Sequence, residues 1–247
     1  MSLTKYLLFK YLRFDKTQPF IMLSALLAFL GVGVGLMVLI VAMAIMNGFD
    51  KEFERKLFTM NYPITILSAI RGNIDESDVS ELKQKFPNLK FSPYIMSQVI
   101  IKGANSFEGG LLFGVNSPDE KQINSVVAAG LKDRELDGYG LLVGQGVKNE
   151  MMINENDKLT LIFTKNDPSG FALTPKMKRF EVVSSFSSGL VAYDKSYLYT
   201  SVEALRKILE YDEGKFDGIH VFSDDPFADI EKISRELRLG QKTIGWW

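Results

Sequence analysis

The sequence predicts a membrane-anchored α+β chain: one transmembrane helix, then a mixed α/β domain of two subdomains, in which βαβ-type halves surround a strand-rich insertion with a long hairpin. Three observations predict it. No charged residue interrupts Phe20 to Met46. Short strand and helix patterns alternate from Tyr62 onward. The first and last parts of that region share one strand, helix, strand rhythm, so they pair into a single α+β unit. The average composition conceals this plan, because 247 residues with a net charge of −1 and 46% hydrophobic residues describe an ordinary globular protein.

Residues 1–19 form a cytoplasmic or interfacial segment. They carry Lys5, Lys10, Arg13 and Lys16 against Asp15 alone, and Tyr6 to Phe14 sets aromatic and aliphatic residues beside spaced cations. Such a segment is either a short helix lying in the interface of an anionic membrane or a plain flanking anchor. Residues 20–46 follow as the span, longer than the roughly 20 residues that cross a hydrocarbon core. Ala42-Met43-Ala44 looks like a cleavage site, but the apolar run exceeds the usual 7–15 residues of a signal peptide, so the helix is read as retained. The positive-inside rule puts the amino terminus in the cytoplasm, since Asp50-Lys51-Glu52 and Glu54-Arg55-Lys56 mix signs on the far side. In a bacterium, everything beyond is periplasmic. The absence of cysteine agrees with that compartment without demanding it.

Within the span Ser24, Ala28, Gly31 and Gly35 recur at steps of 4, 3 and 4. They form one small-residue stripe, the pattern that lets membrane helices approach closely. Residues 47–61 are a connector in which Phe49, Phe53 and Leu57 recur every four residues between charges, so the helix either continues with one apolar face or ends at Asn47-Gly48 in an αL cap.

Residues 62–247 are the folded domain, with 62–106 and 210–247 as the first subdomain and 107–209 as the insertion. "YPITILSA" reads as a strand, Asp75 to Phe86 as a helix capped by Asp75 or Ser77, "FSPYIMSQVIIK" as one or two strands, and Phe107 to Val115 as another. Ser201 to Leu209 is a helix, "FDGIHVFS" a strand, Asp225 to Leu237 a helix opened by carboxylates and Pro226, and "KTIGW" a closing strand. Trp246-Trp247 is either an interface anchor or a core pair. In the insertion, strands Lys158 to Phe163 and Lys178 to Phe186 flank a loop of about fourteen residues with Pro168, Gly170 and Pro175. Phe171 and Leu173 stand at its tip, and Lys176, Lys178 and Arg179 follow it at once. An apolar tip above a cationic base suits protein docking, while a solvated hairpin is the plainer reading.

The residues offer no catalytic constellation. The single histidine, His220, falls inside a predicted strand and has no cysteine or second histidine beside it, so it reads as a strand or core residue. There is no phosphate-binding glycine loop and no H-E-x-x-H. Asp194 and Asp217 have no evident acid or base partner in the sequence.

The run "FIMLSALLAFLGVGVGLMVLIVAMAIMNGFDKEFERKLF", above all its "MNGF", resembles the first membrane helix of the LolC/LolE permease subunits of the lipoprotein-releasing ABC transporter. "SPYIMSQVIIKG" with "LLFGVNSPDE" is similar to that family's early periplasmic strands, and "TPKMKRFEVVSSFSSGLVAYDKSYLYTSVEAL" to its later pattern. The four stretches lie in the family's order along essentially the whole chain. The resemblance implies a MacB/FtsX-like permease of four membrane helices, whose large periplasmic domain lies between the first and second. It implies a non-catalytic subunit with no cofactor of its own, working with a cytoplasmic LolD-like ABC ATPase that uses ATP and Mg. The other implied partners are a second permease subunit, same or homologous, lipoprotein substrates, membrane lipid and a periplasmic LolA-like carrier; no nucleic acid is expected.

On this resemblance Ser24, Ala28, Gly31 and Gly35 pack in the membrane assembly, and Phe49, Phe53 and Leu57 lie near the lipoprotein cavity. The loop takes the place of the carrier-binding hook, with Pro168, Phe171, Leu173, Pro175, Lys178 and Arg179 as candidates. Pro175 matches the family's later hook proline and Lys178 a basic position after it. Two departures stand: "NDPSGFALTP" matches the hook in position and length more than in sequence, and the chain stops at Trp247, where the family runs on into three more membrane helices. Two other readings are a MacB- or FtsX-like permease of different role and a single-span anchored binding or sensor domain.

Overall fold

The computed structural model describes residues 19–68, 74–103, 106–163, 175–238 and 240–245, with isolated positions 3, 6 and 10. The chain divides into two compact units, Met1–Glu54 and Arg55–Trp247. The interfacial segment read between Tyr6 and Phe14 lies outside the described residues except at Tyr6 and Lys10, and Trp246-Trp247 lies outside them altogether.

Helix α1 runs from Pro19 to Asn61, 43 residues, or about 65 Å at about 1.5 Å per residue. Proline is well placed at its first position, where no backbone donor is needed. The stretch Leu23–Asp50 is long and apolar enough to cross a membrane, and none of it is buried in the protein. Of the two readings of Asn47-Gly48, continuation is the one found: both residues are helical and the helix ends instead at Asn61. Tyr62 stops it by adopting a left-handed backbone, φ 59°, a conformation usually left to glycine or asparagine at a helix end.

In the second unit, strand β1 (Ile64–Ser68) leads through β2 (Ile74–Asp75) to helix α2 (Glu76–Lys85) and to β3 (Lys90–Lys102). Asp75 caps α2, and the Asp78 carboxylate accepts from the Asp75 backbone N–H at 3.1 Å, so the helix start is closed reciprocally. Much later, β9 (Lys215–Phe216) and β10 (Gly218–Phe222) lead to helix α8 (Pro226–Glu236) and to β11 (Gln241–Gly245). Asp225 caps α8 by accepting from Ala228 N–H at 3.2 Å. The four long strands lie in the order β11-β1-β10-β3, every neighbour antiparallel. Two interleaved βα halves in this order make a ferredoxin-like layer.

Between β3 and β10 the chain builds the strand-rich part: β4 (Phe107–Val115), α3 (Ser117–Ile123), α4 (Ser125–Leu131), β5 (Gly140–Gly144), α5 (Gln145–Met151), β6 (Lys158–Phe163), β7 (Lys176–Phe186), α6 (Val191–Ser196), β8 (Tyr197–Ser201) and α7 (Val202–Leu209). Pairing runs β3-β4-β8-β5-β7-β6 and returns from β6 to β3, so six strands close on themselves. Strand β3 belongs to both parts: Lys90 to Tyr94 pair with β10, and Val99 to Lys102 pair with β6. The interior is filled by alternate residues, including Val99, Ile101, Leu112, Leu141, Leu161, Phe163, Phe180 and Leu198, all buried. A second buried cluster, on the other face of β3 and β4, gathers Met60, Tyr94, Phe113, Val115, Val127, Leu131, Phe186 and Tyr199. Close approach fixes one glycine: a Cβ on Gly144 would lie 2.2 Å from the Asp194 carbonyl oxygen, so α6 crosses β5 only where that side chain is absent.

Candidate functional site

Three places on the chain carry the features from which a function can be read. On α1, Ser24, Ala28, Gly31 and Gly35 are exposed, and no atom lies within 4 Å of where a Cβ on Gly31 or Gly35 would stand. Phe49 is 62% exposed, while the side chains of Phe53 and Leu57 lie outside the described residues.

The second place is the hairpin. Strands β6 and β7 are antiparallel, with Phe163 opposite Lys176, so residues 164–175 connect them. The loop is twelve residues because β7 begins at Lys176 rather than Lys178. Pro168, Phe171 and Leu173 lie outside the described residues, and Pro175 is exposed at the foot of β7. The cations that follow do not form one patch. Strand alternation sends Lys178 and Arg179 to opposite faces. Lys178 Nζ lies 4.0 Å from the centre of the Tyr139 ring, a cation–π contact. Lys176 Nζ donates to the Glu210 carboxylate at 2.5 Å and to the Ile208 carbonyl at 3.2 Å. Arg179 is exposed and, with Glu135, Asp137, Tyr139, Lys158 and Glu181, borders a concave surface of about 490 Å³.

Arg179 shares its face with Met177. Across the strands, Met177 pairs with Ile162, Ile162 with Ile100, and Ile100 with Gly109, and paired residues point the same way. Met177 is 58% exposed, Ile100 37%, and Phe107 at the next register 63%. The foot of the hairpin thus continues as an apolar row, open at Met177, Ile100 and Phe107 and buried at Ile162, bordered by Lys102 and Arg179.

The third place was not visible in the sequence. Glu120 of α3 is fully buried. Its Oε1 accepts from the Tyr62 hydroxyl and its Oε2 from the Ser92 hydroxyl at 2.7 Å. The Asn124 side-chain N–H₂ donates to the Tyr62 oxygen at 3.1 Å while its own carbonyl caps α4. His220 stacks between two rings, Tyr62 at 3.5 Å and Tyr94 at 4.0 Å between centres. His220 Nδ1 is 3.8 Å from Glu120 Oε2 and makes no hydrogen bond among the described residues. Gly218 makes room for the stack, since a Cβ there would be 2.5 Å from the Tyr94 hydroxyl oxygen. One residue earlier, the Tyr193 hydroxyl donates to Asn61 Oδ1 at 2.7 Å. Burial, foremost, and the nearby Glu120 carboxylate push the Tyr62 and Tyr199 phenols well above their usual range. Burial pulls the His220 imidazole down, against the opposing pull of Glu120. The only signals in the sequence were His220 in an apolar strand and the tyrosine next to the helix end.

Asp217 and Asp194 turn out to be structural acceptors. Asp217 takes the Met96 backbone N–H and the Tyr211 hydroxyl, each at 2.9 Å, and Asp194 takes the Ser188 backbone N–H and hydroxyl, each at 2.7 Å.

An apolar amino-terminal helix followed by this mixed domain defines a membrane-anchored protein of the MacB-like type. The chain matches the MacB-like periplasmic core domain over residues 25–238, and it belongs to that family. Its curated relatives include lipoprotein-releasing system transmembrane proteins. LolC of Xylella fastidiosa strain Temecula1 is 25% identical over 82% of this chain and 50% of its own length. LolC of Neisseria meningitidis serogroup B is 23% identical over 91% and 55%, and LolE of Haemophilus influenzae 24% over 92% and 56%. The resemblance read from the motifs is therefore borne out, and the chain spans about half the length of the curated relatives it matches. Among solved structures, the extracellular domain of the ABC-type transporter YknZ from Gram-positive bacteria overlays with a TM-score of 0.50 at 10% identity, covering 74% of this chain and 99% of that domain. That likeness supports the fold.

Proposed function

We propose that this chain is part of a permease subunit of an ATP-driven complex that extracts lipoproteins from the inner membrane and hands them to a periplasmic carrier. One observation carries the reading: lipoprotein-releasing transmembrane proteins match 82% to 92% of the chain. The subunit itself is non-catalytic. A cytoplasmic LolD-like ATPase using ATP and Mg, a second permease subunit and a LolA-like carrier are the proposed partners. The amino terminus lies in the cytoplasm and the folded domain in the periplasm, a reading supported by the charge asymmetry around the span.

In this reading the Ser24–Gly35 stripe packs against other membrane helices, and Phe49, Phe53 and Leu57 lie near the lipoprotein. The loop 164–175 is the carrier hook. The apolar row at its foot supports this, because a docking segment gains from exposed apolar side chains with cations at the rim. Arg179, on that row's face, is the cation placed to meet the carrier; Lys178 holds the hairpin foot through Tyr139.

The test is site-specific photocrosslinking from Phe171 in cells, with the adduct identified by mass spectrometry. A carrier adduct that disappears on deletion of residues 167–174 is the expected result. Efficient crosslinking to another protein, with no carrier adduct, would overturn the hook and favour a sibling permease of different cargo.

A further inference from the structure

The end of α1 is fastened by a buried polar and aromatic cluster. Tyr62 is held in a left-handed backbone conformation, which costs an ordinary side chain energy and persists only where surrounding contacts impose it. Those contacts are the Glu120 carboxylate, the Asn124 amide and the His220 ring. Two segments far apart in sequence, the α3–α4 corner and β10, therefore converge on one phenol.

His220 is the group in this cluster that gains a positive charge on acidification, and burial holds its imidazole below the usual range. The titratable groups facing it are Tyr62 from the connector, Tyr94 from β3, and Glu120 from α3. Tyr199 of β8 reaches it through Tyr62, and Asp217 acts on Tyr94. Glu120 is the only charge acting directly on His220 among the described residues. A proton arriving from solvent at Nδ1 creates a buried imidazolium, which needs a carboxylate at hydrogen-bonding distance. Glu120 is 3.8 Å away and engaged with Tyr62 and Ser92. To pair with the imidazolium through Oε2, the oxygen that accepts from Ser92, the whole carboxylate must shift, which draws Oε1 off the Tyr62 hydroxyl. If it stays, the imidazolium has no carboxylate at hydrogen-bonding distance and draws in water. Both courses loosen Tyr62.

We propose that the Tyr62–Glu120–His220 cluster is an acid-released latch that holds residues 60–62 against the domain. It binds no ligand but the proton. It is independent of which cargo or carrier the protein serves.

The absence of any second histidine in the chain makes the test direct. The whole 247-residue chain in lipid nanodiscs, with isotope-labelled histidine, gives one imidazole resonance to follow from pH 8 to pH 4.5. In parallel, hydrogen exchange measures protection of the amides around Met60 to Tyr62 relative to their intrinsic rates. The latch predicts an imidazole midpoint below the usual ~6.5 and a fall in protection of about tenfold per unit of that displacement, with the same midpoint. His220→Phe keeps the ring stack and removes the proton site, so its protection stays flat with pH. Glu120→Gln keeps an acceptor but not the charge, so its protection is lower than wild type already at pH 8. An imidazole midpoint at or above ~6.5 overturns the proposal. So does wild-type protection that stays constant through the imidazole titration, or an undiminished pH response in His220→Phe. Should His220→Phe fail to fold, the wild-type coincidence of midpoints and the Glu120→Gln comparison decide the matter.

Discussion

The hairpin β6–β7 and the cluster around Tyr62 are built on opposite principles. The hairpin pairs two strands that follow one another in sequence, and the described side chains of Pro175 and Met177 at its foot are exposed. The cluster draws residues 62, 92, 94, 120, 124, 199 and 220 into one buried knot. Exposed side chains on a local strand pair are available to a partner, whereas long-range polar contacts leave little freedom and tie a position to the whole fold. Function by recognition and function by restraint thus occupy different kinds of structure in one domain.

Substitutions should expose this difference most strongly at the knot. Tyr62→Ala removes a buried ring and strands the Glu120 carboxylate, and is expected to cost about 3–5 kcal/mol, read as a fall in the thermal midpoint of the domain by circular dichroism. Gly144→Ala comes next, at about 1–3 kcal/mol, since the new methyl meets backbone of α6 rather than a yielding side chain.

Alkali separates the two regions by a different property. Burial, the largest cause, raises the phenols of Tyr62, Tyr94 and Tyr199, and pushes Tyr197 up to about 12. A phenol whose folded value is raised contributes stability that is complete below the unfolded value of ~10 and is lost as the pH climbs through the folded value. Phenolate absorbance should therefore rise together with unfolding above pH ~10, and a Tyr62→Phe variant should unfold later in the alkaline titration relative to its own neutral stability. The smallest effect belongs to the hairpin foot. Lys178→Ala loses a cation–π contact worth about 0.5–1 kcal/mol, and its melting midpoint should shift little. If it shifted as much as that of Tyr62→Ala, the contrast between the regions would collapse.

Much of the fold was legible because its signals are local. The uncharged run announced α1, Asp75 and Asp225 announced the starts of α2 and α8, and Phe107 to Val115 and Lys158 to Phe163 are strands with the ends their alternation indicates. Asn47-Gly48 was ambiguous because a sequence cannot show whether a glycine keeps helical angles. The hairpin foot was half legible: Lys176, Lys178 and Arg179 look like one basic group in sequence, but pairing begins at Lys176 and the two-residue period of a strand divides Lys178 from Arg179. The knot was nearly silent. Glu120 sits in "SPDEKQI" among charges that look solvated, and only the packing of α3 over β3 and β10 makes it a buried acceptor.

Strand β3 gives its first residues to the ferredoxin-like layer and its last to the closed ring. The insertion is consequently not a cassette. Excising residues 107–209 and rejoining the ends would leave the rear of β3 without its neighbours on either side, and transplanting those residues alone would produce a ring with one stave missing. Any exchange of this insertion between related proteins must carry Val99 to Lys102 with it, in register, so the natural unit of modular redesign begins inside a strand rather than at a loop.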